Sequence, residues 1–128
     1  MRNSLLKIVL LWAALGSLQF LGAQTAHSVT LTWPPNTAGA PVTTYNILRG
    51  TATGAESSTP IGTVAASACT ATTCTYVDTA SLVEGQEYFY EITATGANGT
   101  SGPSPEVTAT IPFSGPPIAP QKPTVVVK

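Results

Sequence analysis

Between His27 and Ile111 apolar and polar residues alternate in short runs, and each run stops at a cluster of Pro, Gly, Asn or Ser. A period of two sends successive side chains to opposite faces, so each run reads as a strand with one buried face. In HSVTLTW, Val29, Leu31 and Trp33 share a face opposite Thr30 and Thr32, and Pro34-Pro35-Asn36 ends the run. Thr43 to Arg49 sets Tyr45 and Ile47 against Thr44, Asn46 and Leu48. Ile61 to Ala65 and Thr75 to Asp78 are shorter runs of the same kind. The longest, Glu87 to Thr95, aligns Tyr88, Tyr90, Ile92 and Ala94, leaving Phe89, Glu91 and Thr93 to face outward. Glu106 to Ile111 then places Val107, Ala109 and Ile111 inward. Six strands are expected, and no helical periodicity interrupts them.

Strands spaced by roughly 8 to 15 residues and joined by Gly and Pro turns predict an all-β fold, a sandwich of two antiparallel sheets. The chain's 128 residues, with 11 Gly and 11 Pro, hold one such domain and exclude two with full cores. A domain of this size buries about 65% of its unfolded surface, enough to fold without several covalent staples.

Ahead of the strands, the opening MRNSLLK carries Arg2 and Lys7 and IVLLWAALG follows, a positive start before a short apolar core. This is the pattern of a secretory signal over residues 1–23. The run is interrupted by Gly16, Ser17 and Gln19, so it falls short of the ~20 apolar residues of a membrane span. Cleavage is expected after Ala23 or, as a second choice, after Ala26; no membrane span remains once the signal is removed. The expected location is secreted or in the cell envelope, periplasm or cell surface.

Removal of residues 1–23 leaves Arg49, Lys122 and Lys128 against Asp78, Glu56, Glu84, Glu87, Glu91 and Glu106, a net charge of about −3. No cationic surface exists to neutralise phosphates, which argues against nucleic acid as a partner. Cys69 and Cys74 are the only cysteines, and in an oxidising compartment they are expected to pair across CTATTC. Two thiolates without nearby His or carboxylates do not complete a zinc site, so no metal is expected.

These residues resemble the fibronectin type III family in its exported bacterial form, over about His27 to Pro112. SVTLTW is similar to that family's second strand with its core Trp, here Trp33, and TTYNILRG to its third, with the buried Tyr45. Leu82, six residues ahead of Tyr88, matches the spacing of the tyrosine corner, in which a Tyr hydroxyl ties a strand start to the preceding loop. The resemblance implies an immunoglobulin-like sandwich over residues 24–113 with core residues Trp33, Tyr45, Leu82, Tyr88, Tyr90 and Ile92. It implies neither active site nor cofactor. The family's first strand normally precedes SVTLTW by several residues, so here it is short or missing. The integrin-binding tripeptide of some relatives has no counterpart.

No catalytic residue is assigned. His27 and Asp78 are the sole His and Asp, and a Ser-His-Asp arrangement would need both. An amino-terminal His27 could begin a copper clamp but lacks a second His; an exposed residue beside a strand start is the better reading. Glu87 and Glu91 read as solvated charges on the outward face. Asn98-Gly99-Thr100 fits a glycosylation acceptor and equally a plain turn. The expected function is that of a non-enzymatic exported module for protein interaction, adhesion or spacing, its partner an extracellular or envelope protein. The alternative is a carbohydrate-binding module using Phe89, Tyr90 or Phe113 against a glycan. Residues 114–128 form a Pro-rich C-terminal tail ending in TVVVK, which is read three ways: docked beside Val29 to Trp33, frayed, or added to a neighbouring molecule.

Overall fold

In a computed structural model, which describes residues 26–117 together with 119, 120, 122 and 125, the alternating runs form two antiparallel sheets. The first contains β1 (Val29–Trp33) and β4 (Cys74–Asp78). Val29 lies opposite Asp78 and Trp33 opposite Cys74. The second contains β2 (Val42–Gly50), β3 (Gly62–Ala65), β5 (Glu87–Gly96), β6 (Gly99–Thr100) and β7 (Val107–Thr110). β3, β2 and β5 lie side by side, and both β6 and β7 pair with the far edge of β5. This is the expected two-sheet sandwich.

The core is built by the inward alternates of both sheets: Leu31, Ile47, Leu82, Tyr88, Tyr90 and Ile111, with Val29, Trp33, Ile61, Val64, Tyr76 and Ala109 packed against them. The sheets approach closely where Tyr76 of β4 lies over Gly62 of β3, a position at which any Cβ would meet the phenol ring. Tyr45 is buried, its ring edge-on to Trp33 at 5.5 Å, and its hydroxyl accepts the Asn36 backbone N–H at 2.9 Å. The Tyr88 hydroxyl accepts the Val83 N–H at 3.1 Å beside buried Leu82, the tie that the spacing of Leu82 and Tyr88 implies. Cys69 and Cys74 are joined, with Cα atoms 4.4 Å apart, and the bond closes the turn that enters β4.

Several expectations are corrected. Phe89, read as an outward surface contact, is only 8% exposed. It pairs with Gly50, where the chain after β2 folds back: Ser57 donates to the Arg49 carbonyl, and a Cβ on Gly50 would lie 2.6 Å from the Ala55 oxygen. This loop folds back over Gly50, the strand neighbour of Phe89. Ile92, read as core, is only half-buried, and Val107, read as inward, is 53% exposed, because both line a gap between the sheets. His27 is not an exposed residue; its ring is half-buried against Glu84. A two-residue strand, β6, and a single 3-10 turn, Ala66–Ala68, were not anticipated. The signal over residues 1–23 and the cleavage site at Ala23 lie outside the described residues, as does most of TVVVK.

Candidate functional site

β1 has a partner on one side only. Its other edge is unpaired among the described residues, and it faces β7 across the sandwich mouth. Among the described residues the two sheets are of unequal width, and apolar residues are uncovered where the narrower one stops. The result is a cavity of about 400 Å³ walled by Leu31 and Trp33 of β1, Tyr45, Tyr90 and Ile92 of the facing sheet, and Val107 of β7. Trp33 presents a further loose end: its indole N–H is buried and has no hydrogen-bond partner among the described residues. A buried donor left unpaired is costly and uncommon in a finished core. Val29–Trp33 contains neither Pro nor a charged residue, the usual devices that protect a sheet edge.

Beneath the cleft sits a polar network that holds the walls. Arg49 of β2 and Tyr90 of β5 are opposite each other, and both reach Asp78 of β4 in the other sheet. The Arg49 guanidinium donates to Asp78 Oδ2 at 2.7 Å, the Tyr90 hydroxyl donates to the same oxygen at 2.9 Å, and the Ala80 N–H donates to Oδ1 at 3.0 Å. Burial, followed by the hydrogen bond to Asp78 and its charge, pushes the Tyr90 phenol well above its ordinary 10.0. Arg49 also donates to the Ala80 carbonyl and lies 5.0 Å from the centre of the Tyr88 ring. Desolvation works against the Arg49 charge, but the bond to Asp78 and its field prevail and raise the guanidinium further.

Sequence reasoning missed this network, although its signal was present. Arg49 shares the parity of Tyr45 and Ile47 on β2, and Asp78 that of Cys74 and Tyr76 on β4, so both charges fall on inward positions.

A second group closes the bottom of β1. His27 Nε2 lies 3.2 Å from Glu84 Oε1, and the Ser114 hydroxyl donates to the same oxygen. These hydrogen bonds, Ser114 first, hold the Glu84 carboxyl below its ordinary range. The chain that follows β7 is thereby held beside the start of β1. Phe113 is 76% exposed, its ring against Gly85, and forms a shallow hollow with Glu84, Pro116 and Pro117. Of the three aromatics read as a glycan platform, Phe89 and Tyr90 are buried and only Phe113 reaches solvent.

On the outer face, Glu106 accepts the Gly54 N–H at 2.8 Å, and burial, together with Glu106 and Glu91, pushes the Glu56 carboxyl up. Among the described residues no group of three or more His, Cys, Asp or Glu is placed to hold a metal ion, and no helix is long and apolar enough to cross a membrane. His27 pairs with Glu84, and Asp78 with Arg49, Tyr90 and Ala80, so the two residues weighed for a catalytic arrangement serve separate contacts.

Searches among curated proteins and among solved structures returned no match. The family model for the fibronectin type III domain matches residues 13–110, ending with β7 and overlapping the last part of the segment read as a signal. With the two antiparallel sheets and the tie between Tyr88 and Val83, this match places the fold: the chain belongs to the fibronectin type III domain family.

Proposed function

We propose that the chain is exported and works outside the cytoplasm as a non-catalytic module that makes protein contacts through the cleft beside β1. Domains of this family generally serve as interaction or spacer modules. The observation that carries the reading is the uncharged edge of Val29–Trp33, unpaired among the described residues, beside an apolar cavity, because such an edge offers backbone hydrogen bonds and an apolar seat together. Export is supported by the charged and apolar leader and by the joined pair Cys69 and Cys74, which oxidising compartments preserve. The domain occupies residues 24–113, followed by the Pro-rich segment 114–128. A glycan is the weaker partner, since only Phe113 of the aromatics named for it is exposed.

Immobilised chain tests the reading directly. Wild type should retain an extracellular or envelope protein that Val107→Lys, which puts a charge at the cleft mouth, loses; identical retention by both would place the contact elsewhere. Deleting residues 1–23 should leave the protein in the cytoplasm, and unchanged export after that deletion would remove the leader from the account.

A further inference from the structure

Asparagines stand at positions 3, 36, 46 and 98, and Asn98 alone is followed by glycine. The side-chain carbonyl carbon of an asparagine is one five-membered ring away from the backbone nitrogen of the next residue. A side chain on that next residue obstructs ring closure, and glycine removes the obstruction.

The fold then separates the candidates. Asn46 is half-buried in β2, its amide donates to Thr93 Oγ1 at 3.1 Å and Thr95 Oγ1 at 2.9 Å, and buried Ile47 follows it. Asn36 is followed by the β-branched Thr37, and its backbone N–H is held by the Tyr45 hydroxyl. Asn98 is exposed in the turn that joins β5 to β6. Gly99 has a φ of +116°, and a Cβ placed there would meet nothing within 4 Å, so space surrounds the peptide that has to rotate. β6 is two residues long and pairs with β5 through Thr95 with Thr100 and Gly96 with Gly99. A hairpin tip held by so few pairs opens locally while the core stays folded.

We propose that Asn98 is a site of spontaneous modification in the folded chain, cyclising onto Gly99 and hydrolysing to aspartate and isoaspartate. The Gly99 nitrogen gives up its proton and attacks Asn98 Cγ. A C–N bond forms, the Cγ–Nδ2 bond breaks, and the side-chain nitrogen leaves as ammonia with that proton. Water then opens the succinimide. Cleavage at Cγ restores the ordinary backbone with a carboxylate side chain, whereas cleavage at the backbone carbonyl carbon leaves the chain running through Cβ and Cγ. Each product has exchanged NH for O and gained a negative charge, with water as the sole co-reactant. The isoaspartyl form adds a backbone carbon to the turn, so the pairs Gly96–Gly99 and Thr95–Thr100 lose register, together with the 2.8 Å hydroxyl contact of Thr95 with Thr100. The altered tip borders a groove of about 320 Å³ against the loop between β1 and β2, lined by Asn36, Pro41, Thr100 and Ser101 among others. A chain that persists outside the cytoplasm thereby acquires a charge and a reshaped loop beside that groove.

Ageing of the folded, exported chain in mildly alkaline buffer at body temperature tests this. Peptide mass mapping should find NH exchanged for O at position 98 and not at positions 36 or 46. A protein isoaspartyl methyltransferase with S-adenosylmethionine should label the aged wild type and leave aged Asn98→Gln unlabelled, because glutamine would have to close a larger ring. Hydroxylamine added to the native chain should trap the succinimide and cut between residues 98 and 99. Gly99→Ala should age several-fold more slowly. That substitution puts a Cβ at a positive φ, so Asn98→Gln, a change at an exposed turn side chain, supplies a comparison that leaves Gly99 in place. An intact position 98 in the aged, folded chain overturns the proposal, including the case in which the chain unfolded in guanidinium does react there. Equal conversion at positions 36 and 46 overturns it as well, since the turn would then select nothing. So does a glycan on Asn98 in protein recovered from outside the cytoplasm, because its attachment to Nδ2 blocks the loss of ammonia.

Discussion

Asp78 is 1% exposed and would be untenable as an isolated charge at that depth. It is tolerated because Arg49, Tyr90 and the Ala80 N–H all donate to it, which couples β2 and β5 of one sheet to β4 of the other. Breaking a buried pair by removing one partner costs more than the pair contributes, because the survivors keep their desolvation penalty. Asp78→Ala should therefore lower unfolding free energy by about 3 kcal/mol or more in a denaturant titration. Tyr90 adds a dependence on pH. Burial and Asp78 hold its phenol above the ordinary 10.0, so the unfolded chain releases that proton first. Stability from this group is complete below that value and falls as pH rises through and above it. Tyr90→Phe should cost about 1 to 2 kcal/mol at neutral pH by losing the bond to a charged acceptor. It should also flatten the alkaline fall in melting temperature; an unchanged alkaline limb would remove Tyr90 from the explanation.

At the scale of strands, period-two alternation was enough to locate β1, β2, β3, β4, β5 and β7, because each has one face against the core. It failed where the second face is also covered or the first is not. Phe89 sits at an outward parity, yet it is buried beside Gly50, and no local pattern announces the fold-back of the loop after β2 over that glycine. Val107 sits at an inward parity, yet what faces it is a cavity, and that depends on the width of the opposing sheet. β6 was too short at two residues to show any period. The parity of Arg49 and Asp78 could have disclosed the network, since each places a charge among inward residues. The disulfide lies at this scale too: it closes a short loop at the entry to β4 and does not cross the core. Reduction should lower stability by about 2 kcal/mol and keep the β-sheet circular dichroism intact. Collapse of the fold on reduction would show that Cys69 and Cys74 hold more than their own turn.

At the scale of the molecule, a two-stranded sheet faces a five-stranded one among the described residues, and the imbalance leaves a cavity of about 400 Å³ beside the β1 edge. That imbalance accounts together for the half-buried Ile92, the exposed Val107 and the Trp33 N–H that has no partner among the described residues. Such an edge is prone to pairing with another chain. The central claim is that the cleft beside β1 is a protein-contact surface of the exported chain. Amide hydrogen exchange across Val29–Trp33, measured on the exported chain alone and with the extracellular or envelope protein that it retains, tests this directly. In the chain alone, the β1 amides not bonded to β4 should exchange at rates close to those of exposed loops, and they should become protected when the retained protein binds. Full protection of those amides in the chain alone would contradict the account, because it would mean that the edge is already paired within a single chain.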